Sequence, residues 1–206
     1  TFRKLSGGFG SREQVVKGIE AAVEAGLEPV KVNCVVQRGV NDDGVLDLLQ
    51  RFRDTPVIVR FIEYMDVGTR NHWDPTRVVP SRELAGRIAA RWPLVPIAEN
   101  YRGEVAERYA YADGAGEIGF ISSVSQPFCG AGSGGRRSSE GVLYTCLFAT
   151  RGVDLRTPLR AGATDEELTQ LVRAAWLGRA DRYSEQRAEL HARGDGRRIE
   201  MYYIGG

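Results

Sequence analysis

The sequence predicts an α/β protein, with (β/α) units on a parallel sheet and a smaller α+β region toward the C-terminus. Three observations carry this expectation. Helical and strand periodicities alternate with short joins between Ser11 and Trp92, the pattern that builds a parallel sheet through crossover helices. After Asn100, short strand candidates alternate with Gly-rich turns, which suggests a small antiparallel layer. Between Cys129 and Cys146 lies a loop dense in Gly, Ser and Arg, with an apolar run on each side.

Taken in order, Ser11 and Gln14 have capping-box spacing, and Val15, Val16, Ile19, Ala22 and Val23 form one apolar face of a helix that ends at Gly26. Residues 30–36, bounded by Pro29 and Gly39, read as a short buried strand with Lys31 and Asn33 on one face and Val30, Val32 and Cys34 on the other. A second helix follows Asn41-Asp42-Asp43, places Val45, Leu48, Leu49 and Phe52 at helical spacing and stops near Pro56. Residues 57–65 form the next strand, with charges gathered toward its C-terminal end, and 66–80 form an irregular loop. Ser81 opens a third helix with Leu84, Ile88 and Trp92 on one face, ended by Pro93. Residues 108–111, 117–122 and 142–148 are the strand candidates of the second region, so the division falls near residue 99, giving 1–98 and 99–206. Thr164 and Glu167 have capping-box spacing before Leu168, Leu171, Val172 and Trp176, and a last helix is expected from about residue 179 to 192.

Composition narrows the function classes. A net charge of +1 argues against a nucleic-acid protein held by bulk electrostatics. No apolar run approaches the about 20 residues needed to span a bilayer, and the opening TFRKLSGG lacks the apolar core of a signal peptide, so a cytoplasmic location is expected. Three cysteines, an odd number, favour thiol or metal chemistry over a disulfide framework. Only Lys4, Lys17 and Lys31 are lysines among the 28 basic residues, and arginine is the better bidentate phosphate ligand.

Individual residues then stand out. A lysine within a buried strand must neutralise, reach the rim or meet an anion. Lys31 either pairs with a carboxylate such as Glu63 or joins Arg60, on the neighbouring strand, in a cationic mouth suited to a phosphate-bearing ligand. Glu63 has the opposite parity to Arg60 and reads as a structural partner, and Cys34, flanked by valines, as a small core hydrophobe. His72 and His191 have no second metal-type residue at zinc spacing. Cys129 and Cys146 are either ordinary thiols near a loop or a thiolate site whose glycines permit tight turns, with Arg136 and Arg137 as a cationic flank.

Five segments together, KVNCVVQRGVND, RFIEYMDVG, GEIGFISSVSQPFCG, LYTCLFA and the terminal EMYYIGG, resemble the GTP 3′,8-cyclase family, radical S-adenosylmethionine enzymes of molybdenum cofactor biosynthesis. The likeness runs in order through the whole chain and covers the C-terminal two-thirds of the family's pattern. It implies part of an incomplete (β/α) TIM-like barrel followed by a small region that binds a 4Fe–4S cluster and GTP. In that family three cysteines hold the C-terminal cluster through C-G-x-C and a later cysteine in a strand resembling LYTCLF. Cys129 matches the first and Cys146 the third, while the second position holds Gly132. Two arginine positions of a triphosphate clamp fall on Gly134 and Arg136. Lys31 and Arg60 match positions of the GTP region, Met65 and Asn33 match positions near S-adenosylmethionine, and Gly205-Gly206 match a tail inserted toward the active site.

The resemblance further implies cyclisation of GTP to (8S)-3′,8-cyclo-7,8-dihydroguanosine 5′-triphosphate, and a homodimer. The family's N-terminal C-x-x-x-C-x-x-C cluster motif, which starts the radical chemistry, does not occur in this sequence. The chain is therefore expected to be a C-terminal portion that works with a missing N-terminal portion and is inactive alone. The competing expectations are a catalytically inactive nucleotide-binding remnant, motivated by Gly132 and Gly134, and a thiolate zinc site built on Cys129 and Cys146.

Overall fold

The computed structural model describes residues 1–68, 72–126, 134–149, 151–179 and 199–204. The chain forms two compact units, one of Thr1–Tyr64 with Pro75–Gln126 and one of Met65–Asp74 with Pro127–Gly206.

The first unit runs α1 (Phe2–Leu5), α2 (Arg12–Glu24), β1 (Val30–Val36), α3 (Val45–Phe52), β2 (Val57–Glu63), a 3-10 turn (Pro75–Arg77), α4 (Ser81–Ala89), β3 (Leu94–Ile97), β4 (Glu107–Tyr111) and β5 (Glu117–Ile121). The start of α2 is set by its side chains. Ser11 Oγ accepts from Gln14 N at 3.2 Å and Gln14 Oε1 accepts from Ser11 N at 2.9 Å, the reciprocal box the spacing predicts for α2.

One mixed sheet, in the order β1-β2-β5-β4-β3, organises this unit. β1 pairs parallel with β2 and β2 with β5, and β4 and β3 follow antiparallel. Along β2 the side chains alternate, with Val57, Val59, Phe61 and Glu63 buried and Ile58, Arg60 and Ile62 half-buried. Val57, Val59 and Phe61 meet Ile118 and Phe120 of β5, Leu49 and Phe52 of α3, and Leu84 and Ile88 of α4 in a single core. Phe61 and Phe120 pack with ring centroids 6.0 Å apart, and Tyr109 meets Phe120 edge-on at 5.5 Å. Tyr111 is buried against this core, and desolvation pushes its phenol up to about 12.

Two expectations are corrected here. β1 is an edge strand among the described residues, so only Val36 of it is buried. β4 and β5 do not form a separate layer, because the apolar face of β5, Ile118 and Phe120, continues the core begun by β2. Pairing periodicity reveals a strand but not its neighbour, and the parallel register Arg60↔Gly119 joins segments 59 positions apart.

The second unit contains β6 (Arg136–Arg137), β7 (Val142–Tyr144), β8 (Val153–Asp154), α5 (Arg156–Arg160), α6 (Asp165–Leu177) and a 3-10 turn (Met201–Ile204). Its three strands form an antiparallel sheet in the order β6-β7-β8. Tyr144, Ala149 and Ile204 make a small core, with Val142, Cys146, Leu147, Ile199 and Tyr203 against it. Thr164 caps α6, accepting from Glu167 N at 3.2 Å while Glu167 Oε2 accepts from Thr164 N at 2.8 Å. Thr164→Ala is expected to cost about 1 kcal/mol, read as a lower urea midpoint. The helix expected over residues 179–192 falls, beyond Arg179, outside the described residues.

Candidate functional site

The side chains that alternate away from the helices give the first unit its second, polar face. Parallel pairing sets Asn33 directly beside Arg60 and Lys31 beside Ile58, so Lys31, Asn33 and Arg60 share one face of the sheet. Arg60 Nε donates to Asn33 Oδ1 at 2.9 Å. That bond fixes the guanidinium plane at one end. Its terminal nitrogens and the Asn33 amide nitrogen have no partner among the described residues. Lys31 is half-buried and forms no ion pair among the described residues. A guanidinium, an ammonium and an amide on one strip of sheet make a surface suited to an anionic oxygen-rich group.

Glu63 does not partner Lys31. It lies on the opposite face, 2% exposed, and its two oxygens accept four hydrogen bonds. Ser81 N donates to Oε1 at 2.7 Å and Ser125 Oγ donates to Oε1 at 2.5 Å, while Val124 N and Ser125 N each donate to Oε2 at 2.7 Å. The carboxylate thereby joins the first turn of α4 to the segment that follows β5. A charge at the N-terminus of a helix is well placed for the helix dipole.

In the second unit, β6 sets Arg136 opposite Tyr144. Arg136 is half-buried and has no partner among the described residues. Gly134, two residues earlier, is exposed, and a Cβ there would meet nothing within 4 Å. Cys146 is half-buried against the small core, and Phe148 N donates to its Sγ at 3.4 Å. Met65 also belongs to this unit and is half-buried. Gly68, at φ +69, passes so close to Glu200 that a Cβ would lie 2.8 Å from Glu200 Cδ, so residue 68 and the C-terminal segment pack together within this unit. Ile204 at the end of that segment is 2% exposed.

The candidate residues therefore fall into two sets, Lys31, Asn33 and Arg60 in the first unit and Met65, Arg136 and Cys146 in the second. Cys129, Gly132, His191 and Gly205-Gly206 lie outside the described residues. His72 is exposed, at φ 45.

The thiols test the fit of a three-cysteine cluster. Cys34 is the third cysteine of the chain, and it packs against the first unit's core on the helix-covered face, where burial pushes its thiol above the usual range. Of the three motif positions, Cys129, Gly132 and Cys146, Gly132 carries no thiol. Among the described residues no group of three or more His, Cys, Asp or Glu could hold a metal ion. The residues present do not fit a three-thiolate cluster. Also among the described residues, no helix is long and apolar enough to cross a membrane.

Reading the sequence alone overlooks Gly119, which lies beside Arg60 on β5, and Arg108, which pairs with Glu117 across β4 and β5. A glycine inside a strand is itself a signal of close backbone approach, and the run EIGFI carries that signal.

The model of the Molybdenum Cofactor Synthesis C family matches residues 57–185, and the chain belongs to that family. It is similar over its whole length to proteins named GTP 3′,8-cyclase. It is 54% identical to the one from Xanthomonas axonopodis pv. citri over 205 residues, covering 60% of that protein. It is 53% identical to that of Xanthomonas campestris pv. campestris strain B100, covering 59% of it, and 42% identical to that of Acidothermus cellulolyticus, covering 63%. The chain thus spans about three-fifths of the length of these curated relatives.

Proposed function

We propose that the chain supplies the nucleotide-binding part of a GTP 3′,8-cyclase, with the polar face of the first unit's sheet receiving the anionic part of GTP. The observation that carries this is the Arg60 Nε to Asn33 Oδ1 bond at 2.9 Å, with Lys31 on the same face. An arginine already oriented by one bond loses less freedom on meeting a phosphate, and its two terminal nitrogens suit a bidentate contact. Lys31 adds a mobile point charge. Arg136 is the second unit's candidate for the triphosphate. In this reading residues 1–98 come from an incomplete (β/α) TIM-like barrel, and residues 99–206 from the region that follows it.

S-adenosylmethionine, when bound to the whole enzyme, supplies the radical that starts the cyclisation. Asn33 and Met65 are the residues of this chain proposed to touch it, and Asn33 retains its amide nitrogen as a donor. No step is assigned to a C-terminal cluster, because Gly132 leaves the thiolate set at Cys129 and Cys146.

The same glycine substitutions favour a second reading, in which the chain binds nucleotide but does not take part in catalysis. Both readings require GTP to bind. Calorimetry should show saturable, salt-sensitive GTP binding that inorganic tripolyphosphate competes away. Absence of heat at millimolar GTP removes both. Gly134→Arg distinguishes the state of the clamp, since the position is open and its backbone is ordinary. A second guanidinium at this exposed site should tighten GTP binding by about 1 kcal/mol, roughly fivefold.

A further inference from the structure

Two arginines flank Gly119 on the polar face of the first unit's sheet, Arg60 in β2 and Arg108 in β4. They hold different partners. Arg108 donates from Nε and Nη2 to the Glu117 carboxylate at 2.7 Å each and from Nη1 to the Ala98 carbonyl at 2.6 Å, so all three of its nitrogens are engaged. Arg60 donates from Nε alone among the described residues. The arginine that remains able to meet a ligand is the one whose stem lies along the glycine.

The glycine is not required by its own backbone. Its φ lies outside the left-handed region that favours glycine, and strand interiors disfavour glycine on entropic grounds. Space explains it instead. A Cβ at residue 119 would lie 3.2 Å from Arg60 Cγ and 3.6 Å from Arg60 Cδ, whereas its contact with Ala106 Cβ, at 3.6 Å, is ordinary. The tight contact is with the arginine stem and with nothing else.

We infer that Gly119 is a positioning residue for nucleotide binding: the missing side chain lets Arg60 lie flat across β5 with Nε on Asn33 and its terminal nitrogens presented to the ligand. This rests on the reading that Arg60 meets the anionic part of GTP. A methyl group at residue 119 would lift Cγ by a few tenths of an ångström and carry the displacement along the stem to the guanidinium. Asn33 would lose its bond, and the guanidinium its orientation.

The test is a four-member cycle in the 206-residue chain, wild type, Gly119→Ala, Arg60→Ala and the double variant, each titrated with GTP by calorimetry and melted without ligand. Gly119→Ala is expected to weaken GTP binding about three- to tenfold, and to have no effect on affinity when Arg60 is already alanine. Its melting temperature should be unchanged or higher in the Arg60→Ala background, where the stem no longer obstructs the methyl group. Equal losses in both backgrounds, or no loss in either, overturn the proposal. So does a Gly119→Ala substitution that prevents folding whether or not Arg60 is present. Failure of the underlying reading looks different: Arg60→Ala alone would then bind GTP as tightly as wild type.

Discussion

Glu63→Ala is expected to lower the unfolding free energy by about 2–4 kcal/mol, because it removes a buried carboxylate that accepts four hydrogen bonds, one of them from the buried Ser81 N–H. Ser81 N, Val124 N, Ser125 N and Ser125 Oγ all donate to this one carboxylate. The loss therefore combines a cavity with the buried Ser81 N–H left unpaired, about 1–3 kcal/mol, and smaller losses at the more accessible Val124 and Ser125 donors. Glu63→Gln should fall between wild type and alanine. It keeps the volume and one acceptor oxygen but turns an amide NH2 toward groups that are themselves donors. Urea denaturation followed by circular dichroism measures both variants. A Glu63→Ala chain within about 1 kcal/mol of wild type would show that these four bonds contribute little net stability.

Arg60→Ala should act on the opposite face with the opposite signature. The Asn33 bond is exposed, so truncation should cost little stability, within about 0.5–1 kcal/mol. Its effect belongs to the ligand. A hydrogen-bonded contact with a charged group contributes about 1.5–3 kcal/mol, so GTP affinity should fall by roughly 10- to 100-fold. Arg60→Lys should recover only part of this, since an ammonium neither takes the Nε bond to Asn33 in the same plane nor offers a fork. Equilibrium dialysis at fixed ionic strength separates the three proteins, and the salt slope should shrink for the alanine variant.

Much of the first unit was legible because its signals are local. The capping boxes at Ser11 and Thr164 depend on residues three positions apart, and both formed. The parity of β2 placed Arg60 opposite Glu63, and the observed burial alternates accordingly. What could not be read were the partners. Nothing in a run such as EIGFI states that it pairs beside β2, so two of the strands expected in a separate antiparallel layer after Asn100, β4 and β5, join the first sheet, while β7 lies in the second, antiparallel one. Glu63 met backbone N–H groups, which every sequence contains and no pattern marks. Gly119 carried a visible sign, a glycine within a strand, but its meaning appeared only with Arg60 lying across it. The division into two sets of candidate residues likewise follows from how the chain folds into units, with Met65 leaving the unit that holds Arg60.

In the proposed function, Arg60, oriented by Asn33, and Lys31 on the same face meet the anionic part of GTP. Calorimetric titration of GTP into wild type and Arg60→Ala, side by side in the same buffer, tests it most directly. Saturable binding to wild type with a loss of roughly 10- to 100-fold on truncation is the predicted result. Indistinguishable isotherms for the two proteins would contradict it.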